Sequence, residues 1–163
     1  MNGWSLPYEG FLPTEEGLRE ALCTLGNGVF ATRGAAPEAV ADEVHYAGTY
    51  AAGVYDRLRT EIAGRTVENE DLVNAPNWLV LTFRPAGGDW LDLGSVEVLS
   101  YMQELDLRTG VLSRAFRFRD ADGRTTGVRQ RRLVSMAEPH LAALETTIVP
   151  EDWSGRLEVR SGL

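Results

Sequence analysis

The chain has 163 residues, of which 44% are hydrophobic, 25% charged and 9% aromatic, with a formal charge of −8 at neutral pH. That apolar content excludes a disordered chain, and a single cysteine, Cys23, excludes a disulfide scaffold. The acidic balance argues against a nucleic-acid binder, whose footprint is a basic face, and no apolar run approaches the ~20 residues of a membrane span.

The N-terminus, Met1-Asn2-Gly3-Trp4, lacks the charged and apolar regions of a secretory signal, so a cytoplasmic protein with a free thiol is the expectation. The first predicted element is a helix over Thr14–Leu25, where Leu18, Ala21, Leu22 and Leu25 recur at helical spacing. Thr14 is its candidate cap, and Glu15 and Glu16 suit the positive end of its dipole. Gly17 counts against it, and Gly26-Asn27-Gly28 ends it in a tight turn. A short strand over Val29–Arg33 and an Ala/Pro-rich loop over Gly34–Asp42 follow.

From Tyr46 onward the pattern has a period near two. Tyr46–Tyr55, Trp78–Arg84 and Ser95–Glu104 read as strands, with Pro85-Ala86-Gly87-Gly88 as a turn. Val111–Arg119, Arg124–Met136, His140–Val149 and Arg156–Gly162 follow at short intervals. Connections this short predict an antiparallel meander. A sheet with one apolar face needs a second layer, so the expected fold class is all-β: part of a large antiparallel sandwich with one short helix near the N-terminus. The alternation in Arg156–Ser161 stops two residues before the chain does, which reads as a fragment of something longer.

No catalytic constellation emerges from spacing. Cys23, with His45 or His140, is the one possible nucleophile and base set, but Cys23 falls on the apolar side of the helix, as packing thiols do. Asp42-Glu43-Val44-His45 has metal-ligand residue types, yet two histidines do not fill a zinc site, and a solvated edge is the simpler reading. Asp120-Ala121-Asp122-Gly123 lacks the spacing of a calcium loop and reads as a turn. Glycoside chemistry runs on a carboxylic acid, so pairs of acids are candidates. The groups Glu15/Glu16, Glu68/Glu70/Asp71 and Glu151/Asp152 all fall in predicted loops or at the helix start, as solvated faces do.

All 16 basic residues are arginine, as codon bias in a GC-rich genome produces, and they are unevenly placed: 6 against 16 acids in residues 1–104, but 10 against 8 acids in residues 105–163. Arg114, Arg117, Arg119, Arg124, Arg129, Arg131 and Arg132 cluster on two adjoining strands. They read as cross-strand partners of acids or as a face for an acidic partner, with an anion patch as the alternative. Trp4, Trp78, Trp90 and Trp153 are candidates for sugar stacking, although buried indoles in a sandwich are more often core.

Six strings carry a resemblance. Leu25–Gly34 (LGNGVFATRG), Gly48–Asp56 (GTYAAGVYD), Leu72–Trp78 (LVNAPNW), Leu105–Ser113 (LDLRTGVLS), Arg131–Leu144 (RRLVSMAEPHLAAL) and Trp153–Leu163 resemble, in order, stretches of glycoside hydrolase family 65. Val29 and Phe30 stand where most relatives are expected to have Tyr and Leu. The family contains inverting phosphorylases of maltose, trehalose and kojibiose, with some α-glucoside hydrolases. The resemblance implies an N-terminal supersandwich, a helical linker, an (α/α)6 barrel carrying the acid and phosphate sites, and a small β domain.

Residues 1–163 then form a single domain, the first part of that sandwich, with the catalytic barrel absent. The resemblance implies no catalytic residue, no metal and no cofactor here. The parent would use inorganic phosphate as co-substrate if it is a phosphorylase, an α-glucoside disaccharide as substrate, and a homodimeric assembly. Asn77 and Trp78 are the candidate substrate-binding residues. The expected function is a non-catalytic N-terminal domain supporting the barrel. The alternative is a freestanding carbohydrate-binding or oligomerisation sandwich.

Overall fold

Four strands with alternating burial organise the molecule. The computed structural model describes residues 3–163; the part of the N-terminal reading that concerns Met1 and Asn2 lies outside them. In chain order the elements are β1 (Ser5–Glu9), a 3-10 turn (Pro13–Glu15), α1 (Glu16–Leu22), β2 (Leu25–Gly26), β3 (Phe30–Thr32), β4 (Thr49–Ala51), β5 (Tyr55–Ile62), β6 (Arg65–Leu72), β7 (Leu81–Pro85), β8 (Glu97–Asp106), β9 (Val111–Arg119), β10 (Thr125–Val134), β11 (Ala142–Pro150) and β12 (Leu157–Ser161).

The meander is present. An antiparallel sheet runs in the order β1-β8-β9-β10-β11, with continuous register between β9, β10 and β11. The inner face carries Tyr101, Phe116, Phe118 and Val128. Facing them are Phe83 from β7, half-buried Leu157 from β12, and Leu91 and Leu93 from the intervening loop. A second apolar cluster joins Cys23 and Leu25 to Leu105, Leu112 and Val134. The result is the expected all-β sandwich with one short helix.

β12 does not extend the meander. Residues 150–156 cross the end of the sheet, fastened by Asp152, which accepts a bond from the Thr125 amide, and by Trp153 Nε1, which donates to Thr126 Oγ1. β12 then pairs with β7, Val159 opposite Phe83. The length of a connection permits an antiparallel neighbour but does not compel one.

Two further expectations change. The hairpin β5–β6, paired from Tyr55↔Leu72 to Ile62↔Arg65, occupies a stretch read as loop, so Glu68, Glu70 and Asp71 lie on a strand. Its turn places Ala63 at φ 52° and Gly64 at φ 75°, the left-handed pair of a tight hairpin. The helix is also shorter than its pattern and faces the other way. No side chain caps it, Thr14 included, and it ends at Leu22. Its inward residues are Glu16, Arg19 and Glu20, while Leu18 and Leu22 are 62% and 51% exposed. Gly17 permits this packing, since a Cβ there would sit 2.9 Å from the Val44 carbonyl oxygen.

β1 and β2 have no predicted counterpart, and the remaining strands start or stop within a few residues of their predicted bounds. Trp78 and Leu79 lie in the turn before β7, where Asn77 Oδ1 accepts the Leu79 amide at 3.0 Å.

Candidate functional site

The inner face of the sheet is interrupted by a polar row. Gln103, Arg114 and Gln130 stand directly across from one another on β8, β9 and β10, all buried. Arg114 donates from Nε to the Tyr101 hydroxyl at 3.2 Å and from Nη1 to Gln130 Oε1 at 3.0 Å and Glu38 Oε2 at 2.9 Å. Its Nη2 lies 2.6 Å from Glu38 Oε1, both side chains being about 5% exposed. Burial disfavours the charge on Arg114, but Glu38 and Tyr101 more than reverse that and hold its proton affinity above the ordinary value.

Arg132, two positions along the same face from Gln130, has no carboxylate partner among the described residues. It donates once, from Nη1 to the Ala35 carbonyl at 3.0 Å. Burial, then repulsion from Arg114, pulls its pKa down to about 10.

The row continues to Cys23. Tyr101 donates to Gln103 Oε1 at 3.0 Å, and Gln103 Nε2 donates to Cys23 Sγ at 3.4 Å. The thiol is fully buried, and burial raises its pKa. Its recorded partner is thus an amide, and neither His45 nor His140 pairs with it.

Above this row opens a cleft of about 590 Å³ between the 36–45 loop, the 90–94 loop and β12. Its wall includes Glu16, Glu38, Asp42, His45, Asp92 and Arg160. Each carboxylate is already engaged. Glu16 faces Arg19 at 3.4 Å, Glu38 faces Arg114, Asp42 accepts the amides of Val44 and His45, and Asp92 accepts the Gly94 amide. His45 is turned inward, its Nδ1 2.8 Å from Glu20 Oε1, whose other oxygen accepts the Tyr46 amide. A carboxylate accepts only, so Nδ1 carries the proton and Nε2 is the open ring nitrogen. Among the described residues no three His, Cys, Asp or Glu side chains converge as metal ligands would. Among the described residues no helix is long and apolar enough to cross a membrane.

The arginine cluster resolves into pairs. Arg117 binds Glu151, Arg119 binds Glu97, Arg131 binds Glu145, and Arg124 binds Asp120 and Asp122 across their turn. Arg114 and Arg132 point inward. Arg129 alone of the seven is an exposed guanidinium with no acid recorded beside it. Three of the four tryptophans carry arginines over their rings. Trp90 lies between Arg84 and Arg160 at 4.6 and 4.2 Å, Arg108 sits over Trp4, and Arg124 over Trp153. Trp78 is half-buried with its indole N–H enclosed and without a protein partner. Asn77 engages its Oδ1 within its own turn, which leaves its Nδ2 without a bond among the described residues, and nothing brings it together with the cleft.

The recurring strings mostly build turns that hold one another. Asn27 accepts the Val29 and Phe30 amides, and its Nδ2 donates to the Ser135 and Pro139 carbonyls at 2.7 and 3.0 Å, tying the first string to the fifth. Asn74 accepts the Thr49 amide at 3.0 Å, tying the third to the second. Asp106 accepts the amides of Arg108 and Thr109 in the β8–β9 turn.

Comparison with known proteins agrees with this arrangement. The family described as glycosyl hydrolase family 65, N-terminal domain, matches residues 6–163. An uncharacterized glycosyl hydrolase of Mycobacterium tuberculosis is 54% identical over 158 residues, 97% of this chain and 12% of that protein. A kojibiose phosphorylase of Halothermothrix orenii is 29% identical over 143 residues, 88% of this chain and 17% of that protein. The solved structure of a putative kojibiose phosphorylase from human microbiome superposes with a TM-score of 0.80 at 23% identity, over 89% of this chain and 19% of that one. The chain therefore spans less than a fifth of the length of each of these relatives. It belongs to the N-terminal domain family of glycosyl hydrolase family 65.

Proposed function

We propose that this chain is the non-catalytic N-terminal sandwich of a larger α-glucoside-active enzyme. The remaining polypeptide would carry out phosphorolysis of an α-linked glucose disaccharide, with inversion and with inorganic phosphate as co-substrate. The observation that carries this reading is the use made of the family's strings: Asn27, Asn74 and Asp106 spend their side chains on backbone groups of neighbouring turns. A residue whose hydrogen bonds are consumed in this way supports a scaffold and is not free to act on a substrate.

Two features support the wider assignment. The carboxylates on the cleft wall are held by arginines or backbone amides, so none is a free acid placed to protonate a glycosidic oxygen, the step that hydrolysis and phosphorolysis share. The leucines of α1 face outward and supply an apolar surface for a catalytic barrel to cover. Asn77 and Trp78, at the end of the third string, are the residues assigned to reach a sugar held by that barrel.

The test is the isolated 163-residue chain incubated with phosphate and, separately, kojibiose, trehalose and maltose. No glucose 1-phosphate is expected from any of them. Release that scales with the amount of chain overturns the non-catalytic assignment.

A further inference from the structure

Arg132 is a buried cation to which no described side chain supplies a counter-charge. The residue is 5% exposed, and its cross-strand neighbours are Leu112 and Leu144. Of its N–H groups only one, on Nη1, has a recorded partner, the Ala35 carbonyl, and Nε is enclosed with no protein partner. Two carboxylates, Glu20 and Glu38, act on Arg132 from a distance, but both are engaged elsewhere. Glu38 faces Arg114, and Glu20 holds His45 and the Tyr46 amide. Buried charges ordinarily avoid the cost of lost hydration by pairing.

Beside Arg132, the sheet and the 34–37 loop enclose a pocket of about 20 Å³. That is room for one particle of about the size of water, and far too little for a phosphate or a sugar. Its polar side chains are Gln103, Arg114, Gln130 and Arg132, and no acidic side chain lines it among the described residues. The oxygens of both carboxamides are engaged: Gln130 Oε1 accepts from Arg114, and Gln103 Oε1 accepts from Tyr101. What the carboxamides have left are N–H donors, both on Gln130 Nε2 and one on Gln103 Nε2, whose other hydrogen goes to Cys23 Sγ. Two guanidiniums and the Glu38 carboxylate leave one positive charge over. A water molecule would satisfy the donors but not the charge; a monatomic, singly charged anion satisfies both.

We propose that this pocket binds a single chloride ion, held by Arg132 together with N–H donors of Gln130 and Gln103. Charge-assisted hydrogen bonds of this kind are the strong ones. Because Ala35 lies on the loop and Arg132 on β10, the ion fastens to the sheet the loop that leads into the cleft wall. Its effect is therefore read in the stability of the whole chain, since a ligand that binds only the folded state shifts the unfolding equilibrium.

Thermal melts of the 163-residue chain, with sodium chloride replacing sodium gluconate at constant ionic strength, test this. Gluconate is too large for the pocket. The Tm should rise saturably with chloride, by about 3–6 °C at roughly tenfold excess over the half-saturating concentration, and bromide should reproduce the rise. Arg132→Met should melt alike in the two salts. So should Gln130→Glu, which carries a carboxylate into the pocket at the same side-chain length and keeps the test open if the methionine variant does not fold. The exposed Arg129→Met should keep the full response. Chlorine NMR gives a direct reading: the parent chain should broaden the chloride line, and Gln130→Glu should not. Equal melting of the parent chain in the two salts, or a chloride response that survives in either pocket variant or vanishes in Arg129→Met, overturns the proposal.

Discussion

The two buried arginines should respond oppositely to replacement by methionine, which keeps the length of the stem and removes the charge. Arg114 is compensated by Glu38, so Arg114→Met leaves a carboxylate only about 5% exposed without its cation. Breaking a buried pair from one side costs about 3–5 kcal/mol, and Gln130 and Tyr101 lose a partner as well. Arg132 has no acid. Its pKa of about 10 against the ordinary 12.5 corresponds to about 3 kcal/mol spent on keeping the guanidinium charged where it is. Arg132→Met removes that cost and forfeits one charged hydrogen bond to the Ala35 carbonyl, which is about 1.5–3 kcal/mol in the other direction. The two contributions nearly cancel, so Arg132→Met is expected within about 1 kcal/mol of the parent chain. Urea unfolding at neutral pH, followed by far-ultraviolet circular dichroism with a shared m-value, measures both. Equal losses for the two variants, or a loss above about 2 kcal/mol for Arg132→Met, would refute the reasoning.

Three further outcomes follow from named contacts. Burial raises the Glu16 pKa above its ordinary 4.5 despite Arg114 and Arg19; its contribution to stability is therefore full below that pH and lost as pH rises through the folded value. Glu16→Gln should accordingly compare better with the parent chain at pH 7 than at pH 4 in thermal melts, and an unchanged difference contradicts this. Asn27→Ala, which removes two donated and two accepted bonds, should cost about 2–3 kcal/mol and open the 135–141 loop to limited proteolysis. Cys23, sealed and with its pKa raised, should react with an aromatic disulfide reagent only at the rate of unfolding, and a fast native reaction would show the thiol to be accessible.

What the sequence made legible was whatever burial patterned with a period of two. β9 ends where its alternation ends, and β8, β10 and β11 differ from expectation by a few residues, because Tyr101, Phe116, Val128 and their neighbours must all face one core. The β5–β6 hairpin was not legible for the converse reason. It buries nothing, carries Arg, Glu, Asp and Asn at low strand propensity, and turns on Ala63-Gly64 without the usual asparagine. The polar row was hidden because its members, Glu38, Arg114 and Gln130, are distant in the chain and meet only through sheet register and an Ala/Pro-rich loop. Within the arginine cluster, cross-strand pairing was foreseeable, but the inward turn of Arg114 and Arg132 was not: both fall on the period of the core face, where apolar residues are the rule.

The orientation of α1 changes what selection on this segment can mean. In most amphipathic helices the leucines answer to folding and the charges are free to drift. Here Arg19, fastened to the Gly10 carbonyl and to Glu15, and Glu20, which anchors the His45 loop, answer to folding. Leu18 and Leu22, the more exposed side of the helix, contribute much less to it. A mutational scan read out by folding alone should therefore tolerate polar residues at the two leucines and reject apolar ones at the two charges. Any intolerance at Leu18 or Leu22 that appears only under selection for activity reports a contact made outside this domain, which turns the helix into a built-in probe for whatever the sandwich supports.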